Sequence, residues 1–500
     1  MTPESVQLRP ATRADCDLIF GWRNLPEIVE LGSLSREVTL DEHTRWFQSS
    51  LVSKDRRIYI IESAGKPVGQ IRFDHAGDHI WELSMYLIPG HTGAGLGSPA
   101  LHEGCRLMWE EHGALTIQVR VRTDNPRSKV FFIKGGFTPR DSSTPKSGHF
   151  FLQLSAPKLI PHNRLTTGKE EENAVAAVAR SGKWAGDKVL RELEVRISDV
   201  AGADVQAVGV GSGLGALRLA LHALGIVAGD SVAVPAYSCV ALANAVLACG
   251  ALPVAIEIES GSWNISPEAL ALAKTNHPEL KAVIAVHTFG FPANLKALES
   301  VGLPVIEDCS HAFGRGGFGG MGDIAILSLY ATKLLGGGEG GMVMTRSAEM
   351  ATLVRQARDY VDKPPAAWRL NDKMTDLEAA IALCQLRRLP DLLARRDEKA
   401  ERYHALLTGR LPDGTLPLPH NQRIWYRYVL DVTAPDSLIR QLACSRIGAA
   451  RPVDDWRLIS KAQPLATHAY ARLLSLPLYP SLTESEQNKV VESLLRAMHS

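Results

Sequence analysis

DIAILSLYATKLLGGGEGGMV, residues 323–343, places Lys333 between a short apolar run and a glycine-rich turn. The run at residues 324–328 shows no polar alternation before Ser328, which is how a strand buried on both faces of a parallel sheet reads. Open sheets of that kind bind ligands at the carboxyl ends of their strands, and Lys333 stands just past such an end. Alone, a lysine there also reads as a solvated residue at a sheet edge. Similar runs rich in Val, Ile and Ala occur at residues 231–235, 252–256, 282–286 and 304–306, with helix-like stretches between them. These predict an α/β unit with buried parallel strands from residue 169 on.

Two segments N-terminal to the lysine carry matching chemistry. LPVIEDCSHAFG (303–314) sets Asp308 after an apolar strand, where it points into a cleft or caps a helix. GVGSGLGALRLALHALG (209–225) opens a helix with small residues, so free backbone N–H groups and the helix dipole can meet an anion; a glycine-rich helix start is also a plain packing feature. Pyridoxal phosphate (PLP) asks a protein for an amine, a carboxylate at its pyridine nitrogen, a phosphate cradle and a group lying flat on its ring. This stretch of chain offers candidates for each.

In this order the segments resemble the DegT-type sugar aminotransferases, a branch of the fold-type I PLP enzymes. The fold-type I resemblance implies a large, mostly parallel sheet domain over 169–400 and a smaller α+β domain over 401–500. The resemblance runs from about residue 170 to 500 and includes SGKWAGDKVLRELE (181–194), VPAYSCVALANAVLACGALPV (234–254), VHTFGFPANL (286–295), LNDKMTDLEAAIALCQL (370–386) and LSLPLYPSLTESEQNKVV (474–491). It implies that Lys333 forms the Schiff base and moves the proton, that Asp308 pairs with the pyridinium nitrogen, and that His311 lies near the ring's phenolic oxygen. It also implies that Gly213, Leu214 and Ser328 hold the phosphate, and that Asn371 reaches the phosphate of a neighbouring subunit in a homodimer with shared active sites. Expected substrates are L-glutamate and a keto group on a nucleotide sugar. Leu214 stands where the family often has Thr, and Cys239 where it usually has a ring-stacking aromatic, so a thiol would pack on the ring.

Residues 6–155 have another grammar. Strands are expected at 57–62, 67–73, 79–87, 115–122 and 151–154, with a helix at 95–112. LSMYLIPGHTGAGLGSPAL (83–101) sets Gly93, Gly95 and Gly97 between strand and helix, where backbone N–H groups could cradle a pyrophosphate. The order of segments, with NPRSKVFFIKGGF (125–137), is similar to the GNAT acetyltransferases, and LIFGWRNLPEI (18–28) with DEHTRWF (41–47) to those of the pseudaminic acid pathway. The resemblance implies an acetyl-CoA site at Leu87, Gly93, Ala94, Gly95, Gly97 and Asn125, in a GNAT-like mixed α/β domain over 1–155. Thr92 stands where that family has Arg, Gln or Lys, and Phe132 where it has the tyrosine proposed as general acid. Glu82 is a candidate base or a plain strand carboxylate; Tyr86 and His43 are alternative acids.

Residues 156–168 (APKLIPHNRLTTG) have the composition of a linker. The most apolar stretch, 238–258, is interrupted by Asn244, Gly250 and Pro253, so it predicts a helix at 241–249 and a strand at 253–258 rather than a membrane span. With 22% charged residues and a net charge of +1, nothing favours nucleic acid or an anionic membrane. Seven cysteines without a CxxC pair argue for a reducing compartment and against a disulfide framework or a zinc site; no metal is expected. No secretory signal is expected at the N-terminus, and the expected location is cytoplasmic. The combined expectation is a bifunctional nucleotide-sugar enzyme using PLP and acetyl-CoA: amination at a C4-keto carbon of a 4-keto-6-deoxy sugar, then N-acetylation, for surface polysaccharide or nonulosonic acid synthesis. Alternatives are a sugar aminotransferase whose N-terminal module only binds, and a PLP enzyme acting on a non-sugar substrate.

Overall fold

The structure, a computed structural model, describes residues 6–31, 36–112, 114–140, 148–156, 158–185, 188–360, 369–454 and 463–499. Gly186 and Asp187, inside the family-like segment 181–194, lie outside the described residues. The chain divides into two compact units, Met1–Lys158 and Leu159–Ser500. Among the described residues no helix is long and apolar enough to cross a membrane.

In the first unit a seven-stranded sheet runs in the order Val6–Pro10, Arg56–Ser63, Lys66–His75, Ile80–Leu87, Thr116–Arg122, His149–Ser155, Thr138–Pro139. Alternation decides its two faces. Ile71, Phe73, Trp81 and Leu83 pack under Ala100, Leu101, Cys105 and Met108 of the helix Gly97–Glu111. Ile58, Ile60 and Tyr86 face the other way, against Ile19, Trp22 and Phe47 of the helices Cys16–Arg23 and Leu40–Val52. The second of these helices starts at a capping box, in which Thr39 Oγ1 accepts from Glu42 N at 3.2 Å and Glu42 Oε2 accepts from Thr39 N at 3.3 Å. Ile80–Leu87 and Thr116–Arg122 pair in parallel only at Ile80↔Thr116, Trp81↔Ile117 and Glu82↔Gln118. Beyond Glu82 these strands no longer pair.

The second unit is built on a seven-stranded sheet in the order Leu252–Ile256, Ser231–Pro235, Leu280–Val286, Val305–Asp308, Ile324–Ser328, Gly341–Thr345, Gln206–Val210. Gly341–Thr345 runs antiparallel to both neighbours and the rest are parallel. Helices cover both faces, so Ile324–Ser328 and Gly341–Thr345 are buried at every residue. Gln206–Val210 and Gly341–Thr345 are absent from the sequence reading because glycine gives no strand signal. Gly209 is required by packing: a Cβ there would lie 2.5 Å from Leu190 Cδ1 on the helix Lys188–Ala201. The apolar stretch at 238–258 contains the helix Ala241–Ala248 and the strand Leu252–Ile256.

The long helix Asp376–Leu407, capped by Thr375 and Glu378, leads into the C-terminal part. There Tyr428–Asp431 and Leu473–Leu476 pair antiparallel, and Val490, Val491 and Leu494 of the helix Glu484–His499 close a core with Tyr403, Tyr428 and Tyr479. Residues of the linker-like segment pack within this unit. Ile160 bridges to Ile447, Asn163 Nδ2 donates to Thr332 O at 3.0 Å, and Arg164 pairs with Glu486 at 2.9 Å.

Candidate active sites in the two units

At the carboxyl ends of the parallel strands, Val305–Asp308 delivers two adjacent carboxylates to opposite sides. Glu307 accepts from His287 Nε2 (3.0 Å) and from the backbone N–H groups of Gly319, Met321 and Gly322, which fixes the loop that follows. His287 Nδ1 accepts from Ala293 N at 3.0 Å, so both ring nitrogens are engaged. Cys309 lies within ligand distance of this pair. Its thiol is pushed well up by burial and by the nearby carboxylates, so the trio is a buried hydrogen-bond cluster. Asp308 points the other way; its Oδ1 accepts from Ser310 N at 2.9 Å and the residue is buried.

His311 follows on the same loop. Its ring stacks on Tyr426 at 4.2 Å, its Nδ1 accepts from Phe289 N at 3.4 Å, and its Nε2 lies 3.1 Å from Lys333 Nζ. Burial, then the charges of Lys333 and Arg427, hold His311 well below its usual range, so the ring is neutral. Phe289 is held at φ 55°, ψ 20°, a left-handed conformation that strains an aromatic residue. Gly290 beside it is required, since a Cβ would fall 1.7 Å from Ile424 O.

The helix Gly213–Ala223 follows Gln206–Val210, and Ser212 Oγ caps it by accepting from Gly215 N at 3.0 Å. Such a cap leaves other first-turn N–H groups for an anion. Gly213 lies against Ser328: a Cβ there would meet Ser328 Cβ at 2.8 Å and Oγ at 2.9 Å. The strand end and the helix start are thereby brought together. Leu214 is exposed, and so is Cys239 in the turn after Ser231–Pro235, while Tyr237 of that turn is buried edge-on to Phe289. Asp372 O accepts from Gly211 N at 2.7 Å, which lays the segment at 371–373 on this cradle with Asn371 exposed.

In the first unit Gly93 and Gly95 take φ 85° and 81°, and nothing lies within 4 Å of a Cβ at either. Thr92 and Ala94 are exposed between and before them, and the helix starting at Gly97 has no side-chain cap. Leu87 and Phe131 line the start of that helix, with Phe131 Cε2 3.1 Å from a Cβ at Gly97. Phe132 turns into the core beside Phe137, so the aromatic residue facing the loop is Phe131. Neither carries a hydroxyl. Asn125 Oδ1 accepts from Ser128 N at 3.0 Å and caps the helix Pro126–Lys134. Glu82 sits where the two parallel strands stop pairing, and its Oε1 accepts from Arg120 Nε at 2.6 Å. Tyr86 donates to Gln70 Oε1 at 3.1 Å, and burial raises its phenol. His43 is buried, its Nε2 bonded to Cys16 O at 3.0 Å, and burial lowers its pKa.

Comparison with known proteins decides the family. Residues 166–495 match the model of the DegT/DnrJ/EryC1/StrS aminotransferase family. The chain belongs to that family. Residues 5–138 match the acetyltransferase (GNAT) domain. Similar solved structures include the aminotransferase TlmJ from Streptoalloteichus hindustanus, 28% identical with a TM-score of 0.63, covering 68% of this chain and 99% of that one. DesV of S. venezuelae, determined in complex with a ketimine intermediate, is 29% identical with a TM-score of 0.61, covering 65% and 94%. The sugar aminotransferase CalS13 from Micromonospora echinospora is 25% identical with a TM-score of 0.61, covering 68% and 100%.

DegT aminotransferases are PLP-dependent, and a GNAT domain takes acetyl-CoA. The second unit fits PLP: a capped helix start tight against Ser328 suits the phosphate, buried Asp308 suits the pyridine nitrogen, and Lys333 beside a neutral His311 suits the aldehyde carbon. PLP supplies an electron sink when bound. His311 orients Lys333 through Nε2, and the stacked Tyr426 fixes the His311 ring. With the cofactor bound, Lys333 Nζ would be placed to take and return a proton at a substrate carbon. In the first unit the open loop with two left-handed glycines suits a pyrophosphate. Sequence reading did not single out Phe131, Arg120, Phe289, Tyr426 or Arg427. A segment with the pattern of Tyr426 and Arg427, just before a strand, carries no local signal.

Proposed function

We propose that the chain is a bifunctional nucleotide-sugar enzyme. It aminates the C4-keto carbon of a 4-keto-6-deoxy nucleotide sugar with glutamate as donor, and then acetylates the new amine with acetyl-CoA, on the way to surface polysaccharide or nonulosonic acid. Lys333 forms the Schiff base with PLP, Asp308 pairs with its ring nitrogen, and Gly213, Leu214 and Ser328 hold its phosphate, with Asn371 serving the neighbouring subunit of a homodimer. The observation that carries the reading is the presence, on one chain, of the Lys333–His311 pair beside an anion cradle and of an open glycine loop at the parting of two parallel strands. The first would make an amine and the second would cap it.

A second reading keeps the aminotransferase and makes the first unit a binding module. It is favoured by the Arg120 ion pair on Glu82 and by the absence of a hydroxyl on Phe131 and Phe132. Residues 1–158 have their own core, so that fragment can be tested by itself. Under the bifunctional reading it releases CoA thiol when given a 4-amino sugar nucleotide and acetyl-CoA, at a rate slowed by roughly 10²–10⁴-fold for want of a general acid. No thiol release from the fragment or the full chain leaves the binding-module reading.

A further inference from the structure

Two small cavities in the second unit share Asn163 and Arg396 in their walls, with volumes of about 90 and 140 Å³. His162, Tyr426 and Arg427 line the smaller and Lys333 lines the larger; no carboxylate lines either. Arg164, also in the larger wall, is neutralised by Glu486 at 2.9 Å. Neither of the other two arginines has a carboxylate partner among the described residues; Arg427 hydrogen-bonds the Tyr426 phenol, which, against burial, the charges of Lys333, Arg427 and Arg396 pull below its usual range. Arg396 is buried and donates to the backbone carbonyls of Tyr426 (3.2 Å) and Leu478 (3.1 Å), which satisfies its hydrogen bonds but not its charge. Burial lowers it only to about 10, so it stays cationic at neutral pH.

Arg427 Nη1 lies 3.3 Å from His162 Nε2, a ring that burial and Arg427 itself push down to about 4. That neutral ring accepts a hydrogen bond and supplies no countercharge. Arg427 Nε is buried without a hydrogen-bond partner. Lys333 Nζ and the Arg427 guanidinium both lie against the Tyr426 ring, 5.3 and 5.4 Å from its centroid. Guanidinium groups without a carboxylate partner in a cavity are costly unless an anion joins them. The volumes are far below the roughly 300–1,000 Å³ of pockets that take drug-sized ligands. A sugar nucleotide is far larger than either cavity.

We propose that Arg427, with Arg396 behind it, receives the carboxylates of a dicarboxylic amino donor whose amine faces Lys333, and that Arg427 sets donor specificity. This rests on the aminotransferase reading above, but binding can be tested without turnover. A guanidinium fork matches a carboxylate in a bidentate way that an ammonium does not.

The test is calorimetric titration of the holoenzyme with glutarate, which has two carboxylates and no amine to react, alongside butyrate and UDP. The wild type should bind glutarate at least roughly tenfold tighter than butyrate. Arg427→Leu should weaken glutarate by roughly tenfold or more and leave UDP unchanged, while Arg427→Lys should recover only part of the loss. Each variant's cofactor absorbance and melting temperature report whether it has folded. In steady state Arg427→Leu should raise KM for glutamate and not for the keto sugar. Absent glutarate binding by the wild type, glutarate affinity unchanged in a folded Arg427→Leu, or loss of UDP affinity in its place would overturn the assignment. A protein that binds glutarate through Arg427 yet aminates no sugar would sink the proposed function and leave this site standing.

Discussion

Lys333 acquires its chemistry from residues that lie far from it in sequence. His311, from the loop after another strand, reaches its Nζ at 3.1 Å, and Tyr426, from the C-terminal part, fixes that imidazole by stacking. Lys333→Ala should therefore abolish transamination, and borohydride reduction should no longer trap PLP on the chain; an adduct mapping to another lysine would contradict the assignment. Gly213→Ala would set a Cβ 2.8 Å from Ser328 Cβ. It should cost roughly 1–3 kcal/mol of strain and loosen PLP measurably in a fluorescence titration, because the crowded atoms are those proposed to hold phosphate. His162 tests the electrostatics. Its folded pKa, about 4, lies below the ordinary 6.5, so the unfolded chain binds more protons between those values. Stability should fall as pH drops from 6.5 toward 4, by up to about 3 kcal/mol. His162→Gln should flatten that part of the melting-temperature profile, and an unchanged slope would refute the assignment. The strand-end positions of Asp308 and Ser328 were legible because an apolar run announces them. Arg120 on Glu82, and Arg427 in its cavity, were not, since nothing local marks a partner on a neighbouring strand or a later domain.

Elements were legible in proportion to how uniformly they are buried. Ser231–Pro235 and Ile324–Ser328 are enclosed by helices on both faces, and their sequences are continuous apolar runs. Gln206–Val210 and Gly341–Thr345 are equally interior but glycine-bearing, because a helix or a neighbouring backbone presses on them. The helix Pro126–Lys134 shows a finer limit. Adjacent residues on a helix are about 100° apart; the resemblance put the acid position at Phe132, whereas packing turns Phe132 into the core and sets Phe131 against Gly97. The loop itself yields a prediction. Gly95 has φ 81° and open space where a Cβ would go, so Gly95→Glu both strains the backbone and sets a carboxylate where a pyrophosphate would lie. Acetyl-CoA binding, read by calorimetry, should fall at least roughly a hundredfold from repulsion and strain together. Retained binding would remove the loop from the acetyl-CoA site.

At the scale of the whole molecule, two units with separate cores match an aminotransferase family and an acetyltransferase domain, and the proposed function joins them: amination at a carbon, then acetylation of the new nitrogen. Composition pointed to more than one domain, and the family-like segments pointed to what each contains. The order of reactions was not legible in the sequence; the proposed order rests on chemical logic, because an amine must exist before it is acetylated. The most direct test is to give the intact chain UDP- or dTDP-4-keto-6-deoxy sugars with glutamate and acetyl-CoA and to follow the sugar nucleotide by mass spectrometry. The account predicts conversion to the amino sugar in the absence of acetyl-CoA and to its N-acetyl derivative in its presence. An amino sugar that accumulates unchanged with acetyl-CoA present, or no amination of any candidate, would contradict it.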